Sequence, residues 1–220
     1  MELLAGIETR RSLRAFKSTP ITKEVLDSIL KAAGKSPSYT NTQPWEVAVI
    51  CGKKKEELSR ILYDLVDSDV TPNADLPMPQ NWPPELERRS REHGMRRFHA
   101  VGIERENEQQ RKEMRLSNFK FYGAPCVLFL FIDSTLGPWS IFDMGLFAQT
   151  LILAAHSFGV GSCLQASLAG YPDAIREFLG IPETKQLVLG ISMGYPDLEA
   201  RINTYQSTRV SSDDFVQWYT

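Results

Sequence analysis

The stretch "APCVLFLFID", residues 124–133, is a continuous apolar run bounded by Pro125 and Asp133. An apolar run of this length without polar alternation is typical of a β-strand that is buried on both faces. Two further stretches, "WEVAVIC" at 45–51 and "QLVLGISMG" at 186–194, predict additional strands. The strand at 124–133 is therefore expected to lie inside a sheet, with other elements covering both of its faces.

Helical patterns surround these strands. Residues 139–158 are apolar almost all round, which predicts a central or interfacial helix. The segment "PITKEVLDSILKAAG" predicts a helix that begins at the N-cap Thr22 and ends at Gly34. Shorter helices are predicted over residues 2–10, 54–67 and 172–179.

Residues 68–112 differ in composition from the rest of the chain. Five prolines fall within residues 68–84, and Glu and Arg dominate residues 85–115. Such a segment usually lies outside the core of a domain. We expect a polar, partly helical insertion within one domain that spans residues 1–220.

The composition is that of a globular protein that is soluble in water. Hydrophobic residues make up 42% and charged residues 24% of the 220 residues, with 25 basic and 27 acidic side chains. This balance gives no global field that would recruit nucleic acid or an acidic membrane, so any anion site must be local. No apolar run approaches the roughly 18 residues of a membrane span. Three widely spaced cysteines argue against a disulfide framework and favour the cytoplasm.

Two kinds of catalytic site are poorly supported. The three histidines, His93, His99 and His156, lack the spacing of metal ligands, so no metal site is predicted. The stretch "GISMG" at 190–194 matches the G-x-S-x-G motif of serine hydrolases, but Pro196 disfavours the helix that must follow. A hydrolase that uses Ser192 with His156 and Asp173 remains a minor alternative.

The stretch "GVGSCL" at 159–164 has two glycines of a dinucleotide-binding fingerprint, with Leu164 in place of the third. It also follows a predicted helix, where a Rossmann site requires a strand. We therefore interpret the two glycines as a turn after the long helix.

The stretch "TRRSLRAF" at 9–16 is the strongest candidate for an anion site. Arg10, Ser12 and Arg14 alternate, so an extended backbone would point all three side chains to one side. Guanidinium groups and a hydroxyl suit the several oxygens of a phosphate. By itself the octapeptide favours a solvated surface, and only its setting in the chain supports the anion site.

These stretches together resemble one family. "RRSLRAF", "SPSYTNTQPW", "NFKFYGAP", "GVGSCLQAS" and "STRVSSDDFVQW" occur in the order and spacing of FMN-dependent nitroreductases. The resemblance covers nearly the whole chain except residues 68–112. It implies an α+β fold with a central mixed or antiparallel sheet surrounded by helices. It also implies a homodimer with two flavin sites at the interface, for which the helix at 139–158 is the candidate contact.

The resemblance assigns residues to FMN one by one. Arg10 and Ser12 would bind the phosphate together with Arg11 and the late Arg209, and Arg14 would reach the pyrimidine edge of the flavin. The segment Leu164, Gln165 and Ala166 would pass the isoalloxazine, which Asn118 would also contact. The loop that borders the flavin from the partner subunit would be Pro37, Ser38, Tyr39 and Asn41.

The implied activity is a two-electron transfer from NADH or NADPH through FMN to an electron-poor small molecule such as a nitroaromatic or quinone. FMN carries this chemistry itself, which explains why the sequence has no clear catalytic constellation. The insertion at 68–112 is the candidate lid over the acceptor. Alternatives on the same fold are an ene reductase, a reductive dehalogenase, an oxidase, or a non-catalytic FMN-binding module.

Overall fold

The computed structural model describes residues 2–104 and 106–220, which contain four strands and seven α-helices. The strands are β1 (Glu46–Cys51), β2 (Cys126–Asp133), β3 (Gly161–Gln165) and β4 (Lys185–Gly194). The helices are α1 (Leu3–Thr9), α2 (Lys23–Ala33), α3 (Gly52–Asp67), α4 (Pro84–Val101), α5 (Glu108–Leu116), α6 (Pro138–Ser157) and α7 (Pro172–Leu179).

The strands form one antiparallel sheet in the order β1-β2-β4-β3. Side chains of β2 alternate between two cores. On one face, Leu128 and Leu130 pack with α2 and α6, and on the other, Val127 and Phe129 pack with α3 and α7. The predicted α+β class and the strand buried on both faces are confirmed.

The interpretation of the two glycines as a turn is confirmed for Gly159 and wrong for Gly161. Only Gly159, with φ of 70°, lies in the turn after α6, and residues 161–165 pair with β4 as the strand β3. A short segment with two glycines has no hydrophobic period that predicts a strand. It becomes a strand because it pairs with β4. A Cβ at Gly161 would lie 2.7 Å from Leu13 Cδ1, so this glycine allows residues 12–16 to pack closely on β3.

Helix α6 is the one described helix that by length and hydropathy is able to cross a membrane. In the structure it packs on α2 and β3, and Met144, Phe147 and Leu151 are buried in the core. The buried Asp143 carboxylate accepts hydrogen bonds from the Tyr39 backbone N–H at 3.1 Å. These contacts are those of a core helix.

The residues from 68 to 112 contact the rest of the domain near their start and through α4, among other places. Near the start, Asp75 forms an ion pair with Arg176 of α7 and accepts a hydrogen bond from the Leu187 backbone N–H at 2.7 Å. Near the end of α4, Arg201 Nε donates to the Ala100 carbonyl at 2.9 Å. The second contact holds α4 against the segment that follows β4, beside the site described next.

Candidate functional site

The arginines at residues 10–14 line two adjoining clefts. One cleft, of about 920 Å³, is lined by Arg10 and Arg11, and the other, of about 630 Å³, by Arg11 and Arg14. Arg209 lies on the wall of both clefts. The structure therefore brings together arginines that are almost 200 positions apart in the sequence.

The backbone of residues 10–17 runs along the end of the sheet. Helix α1 ends at Thr9, Arg10 has extended geometry, and Ser12 forms a parallel bridge with Ser162 of β3. The Leu13 N–H donates to the Ser162 carbonyl at 3.0 Å. Pairing with β3 thus fixes the direction in which the motif presents its side chains.

The predicted alternation is only partly correct. Ser12 and Arg14 line the smaller cleft, whereas Arg10 lines the larger one. The segment is extended but is paired with β3 only at Ser12, so its side chains do not follow one strict strand period. Arg11, expected to share the phosphate, is common to both clefts.

Arg10 and Arg209 form a local positive site. Burial and the charge of Arg209 lower the pKa of Arg10 from its usual value. Among the described residues neither guanidinium forms an ion pair with a carboxylate. Holding two cations close together without a counterion is unfavourable, and a bound anion relieves it. This site fits the phosphate of FMN.

A third small cleft, of about 150 Å³, joins Arg14 to the predicted flavin-ring residue Asn118. Arg14 Nε is buried and has no hydrogen-bond partner among the described residues, and the same holds for Arg97 Nε of α4. Tyr122 donates to Asn118 Oδ1 at 2.6 Å, and burial raises the pKa of Tyr122 to about 12. The Tyr122 and Asn118 donors are thus used within the protein, and the cleft presents the guanidinium Nε donors of Arg14 and Arg97, which suit the oxygens of a flavin pyrimidine edge.

The Gln165 side chain connects this cleft to the sheet. It donates to the Asn118 carbonyl at 2.9 Å and accepts a hydrogen bond from Ser192 Oγ. Ser192 is fully buried inside β4, with Val127 on one side and Cys163 on the other. A serine in the middle of a strand is not a nucleophile elbow, so the hydrolase alternative is wrong.

The rest of the predicted isoalloxazine segment is close to open space. Leu164 is 38% exposed, and Ala166 lines a fourth cleft of about 480 Å³ with Pro72, Met78 and Phe119. Two of these side chains belong to the first part of the insertion. The insertion thus contributes to the walls on this side, as well as through α4 on the side of Arg14.

The predicted partner loop lies outside the clefts that the arginines of its own chain line. Pro37, Ser38, Tyr39 and Asn41 do not line the clefts described above. Tyr39 is 61% exposed, stacks on Trp139 at a ring distance of 6.1 Å, and is fixed by the hydrogen bonds to Asp143. These residues are available to a second chain.

Three residues at the site were not predicted from the sequence: Asn203, His156 and Arg97. Asn203 accepts a hydrogen bond from the Arg14 backbone N–H at 2.7 Å and donates to the carbonyls of Ala15 and Asp197. His156 hydrogen-bonds to Thr9 at 2.9 Å, and burial and Arg10 lower its pKa. Arg97 lies within an Arg-rich stretch, so the sequence does not distinguish it from the neighbouring arginines. Asn203 lies in no motif that would mark it as a functional residue.

Comparison with known proteins identifies the family. The Nitroreductase family model matches residues 7–195, and the chain belongs to this family. A 4-nitrobenzoate reductase from Pseudomonas putida is 33% identical over 214 residues, which cover 97% of this chain and 94% of that protein. The nitroreductase NfnB from Mycolicibacterium smegmatis is 35% identical over 198 residues, with 90% and 84% covered.

The fold agrees with solved structures. The FMN-dependent nitroreductase NfnB from Mycobacterium smegmatis, crystallised in complex with NADPH, superposes with a TM-score of 0.94 at 32% identity. The FMN and NADPH-dependent NfnB from Sphigopyxis sp. strain HMH gives 0.96 at 27% identity. Both comparisons cover 100% of each chain. The resemblance found in the sequence is thereby confirmed.

Proposed function

We propose that this protein is an FMN-dependent oxidoreductase that transfers two electrons from NAD(P)H to a nitroaromatic acceptor. The observation that carries the proposal is the set of arginines without carboxylate partners, Arg10 with Arg209 and Arg14 with Arg97. A phosphate suits the first pair, and the pyrimidine edge of a flavin suits Arg14. FMN, when bound, supplies the hydride chemistry.

The residues of the chain would hold the cofactor and set its charge environment. Arg10, Arg11, Ser12 and Arg209 would bind the phosphate. Arg14 and Asn118 would orient the ring, and a guanidinium beside the pyrimidine edge favours negative charge there. The Leu164–Ala166 backbone would form the wall behind the ring.

The donor and the acceptor would share the side of the site that Arg14 and α4 line. Relatives that bind or depend on NADPH support NADPH as the donor, with NADH as the alternative. Arg96 and Arg97 of α4 lie near Arg14 and make this side positive. A carboxylated nitroaromatic suits such a side, in line with the 4-nitrobenzoate reductase among the relatives. Residues 68–112 would act as the lid over this acceptor.

Anaerobic reduction of the purified, FMN-loaded protein tests this function. We expect NADPH to bleach the flavin absorbance and 4-nitrobenzoate to restore it, with a lower KM than for nitrobenzene, which lacks the carboxylate. Restoration only by an enone, a halogenated aromatic or oxygen would instead indicate an ene reductase, a dehalogenase or an oxidase. A flavin that NAD(P)H does not bleach would indicate a binding module, and protein that does not take up FMN would refute the proposal.

The proposed assembly is a homodimer in the cytoplasm. Helices α1 and α6 pack together, and each exposes large apolar side chains: Leu3 and Leu4 on α1, and Trp139 and Phe142 on α6, each between 59% and 73% exposed. Trp139 contacts Phe142 and also stacks on Tyr39 of the predicted partner loop. Exposed apolar groups of this size usually mark an interface. A second chain would cover them and add its loop 37–41 to the flavin site.

A charged substitution at one of these side chains tests the assembly. We expect Trp139→Glu to convert the dimer to a monomer in sedimentation, because a carboxylate in an apolar interface is costly. FMN binding should weaken in parallel, since the partner loop is lost. Ile61→Glu on α3, also at an exposed apolar side chain, is the control and should remain dimeric. A parent chain that sediments as a monomer would contradict the assembly.

A further inference from the structure

Two cysteines lie directly opposite each other at one end of the sheet. Cys51, the last residue of β1, is the cross-strand partner of Cys126, the first residue of β2. Opposite residues of antiparallel strands have Cα atoms about 4.5–5.5 Å apart. A disulfide spans Cα atoms about 4.4–6.8 Å apart. The side chains of such a pair also point to the same face, so this backbone accommodates a bond between the two sulfurs.

The two thiols differ in access to solvent. Cys51 is exposed on an edge strand, whereas Cys126 is buried. Cys163, the third cysteine, is buried in β3, which β2 and β4 separate from β1. A small oxidant in water therefore meets Cys51 first, and Cys126 is the cysteine placed to react with it next.

The surroundings of Cys51 favour its thiolate. It is the N-cap residue of α3, where the partial positive charge of the helix favours an anion. A hydrogen bond from the Cys126 thiol and the charge of Lys55 lower the pKa of Cys51 to about 7 against the opposing effect of burial. The Lys55 ammonium is held there by a 3.0 Å hydrogen bond to the Ala124 carbonyl.

Cys126 keeps its proton under the same conditions. Its hydrogen bond with Cys51 and its burial raise the pKa of Cys126 well above the usual range. The pair thus has one exposed nucleophile and one buried thiol in contact with it. This division is the one found in cysteines that attack an oxidant and then form a disulfide.

We propose that Cys51 and Cys126 form a reversible oxidation site for hydroperoxides, independent of the flavin. The Cys51 thiolate attacks one oxygen of hydrogen peroxide, the O–O bond breaks, and Cys51 becomes a sulfenic acid. The hydroxide that leaves takes a proton from solvent, where the Cys51 proton was released, and becomes the first water. The Cys126 sulfur then attacks the Cys51 sulfur, the S–OH bond breaks, and the hydroxide leaves as water with the Cys126 proton. Two thiols lose two electrons, and the peroxide gains them.

The bond would close a loop that contains α3, residues 68–112 and α5. Neither cysteine lines the clefts of the arginines, so oxidation leaves the FMN phosphate site in place. The site is therefore testable whether or not the proposed activity is found. A dithiol reductant reverses the reaction by thiol exchange.

Thiol counting after peroxide treatment tests the proposal. FMN-loaded protein is treated with hydrogen peroxide at neutral pH without NAD(P)H, and is then denatured and titrated. We expect the three free thiols to fall to one and dithiothreitol to restore all three. Peptide mapping should find Cys51 joined to Cys126 within one chain, with two hydrogens fewer in mass.

Three variants separate the roles. Cys163→Ser should still lose two thiols, and Cys51→Ser, at an exposed position, should lose none. Cys126→Ala should lose one thiol and accumulate a sulfenic acid at Cys51, which dimedone traps. Cys126 is buried, and if its replacement impairs folding, the Cys51→Ser variant still tests the proposal. A thiol count that stays at three, a loss through Cys163, or a bond between two chains would overturn the proposal.

Discussion

Replacement of Arg10 or Arg209 by alanine is expected to remove FMN from the protein while the fold remains. Both guanidiniums line the larger cleft, and neither has a carboxylate partner among the described residues. Loss of one charged partner from a partly buried phosphate costs roughly 2–4 kcal/mol. This corresponds to about 30- to 1000-fold weaker binding. Fluorescence titration of the apoprotein with FMN measures the change.

The controls separate charge from folding. Arg60→Ala, on the exposed face of α3, removes an arginine elsewhere and should leave the FMN affinity unchanged. Arg10→Lys keeps the charge but loses the planar fork, so we expect an intermediate loss. An unchanged affinity in both alanine variants would show that these arginines are solvated and that the phosphate binds elsewhere.

Removal of the Asn203 side chain is expected to destabilise both the fold and the cofactor site. Asn203 is 1% exposed and joins the Arg14 N–H to the carbonyls of Ala15 and Asp197. Asn203→Ala removes all three hydrogen bonds. The Ala15 carbonyl still accepts from the Asp197 N–H at 3.1 Å, but the Arg14 N–H and the Asp197 carbonyl lose this partner, and each buried unsatisfied group costs about 1–3 kcal/mol. Water entering the site offsets part of this cost. We expect the free energy of unfolding to fall by about 2–4 kcal/mol, measured by urea titration.

The same variant should also weaken FMN binding, because the backbone that presents Arg14 is no longer fixed. We expect about a tenfold loss, or about 1.4 kcal/mol. Asn203→Asp keeps the acceptor for Arg14 but loses both donated hydrogen bonds, so it should also be destabilised. Asn81→Ala, at an exposed position in the insertion, is the matched control. An Asn203→Ala protein as stable as the parent would show that water replaces the side chain without cost.

Much of the fold was predictable from local patterns. The run at 124–133 is strand β2, and the helices with a clear apolar stripe or N-cap, such as α2 after Thr22, occur where they were expected. These elements follow from burial and backbone hydrogen bonding within a few residues. Strand β3 was missed because its short glycine-containing sequence becomes a strand only when it pairs with β4.

The site shows the same division. The sequence by itself determined the types of group that the site contains, because "TRRSLRAF" holds three arginines and a serine and the later motifs add Asn118 and Arg209. Only the tertiary structure decided that Arg10 and Arg209 line the same cleft, that Asn203 fixes the backbone of Arg14, and that Cys51 lies opposite Cys126. Such contacts join residues far apart in the chain, and the hydrophobic periodicity of a local stretch gives no information about the distance between them.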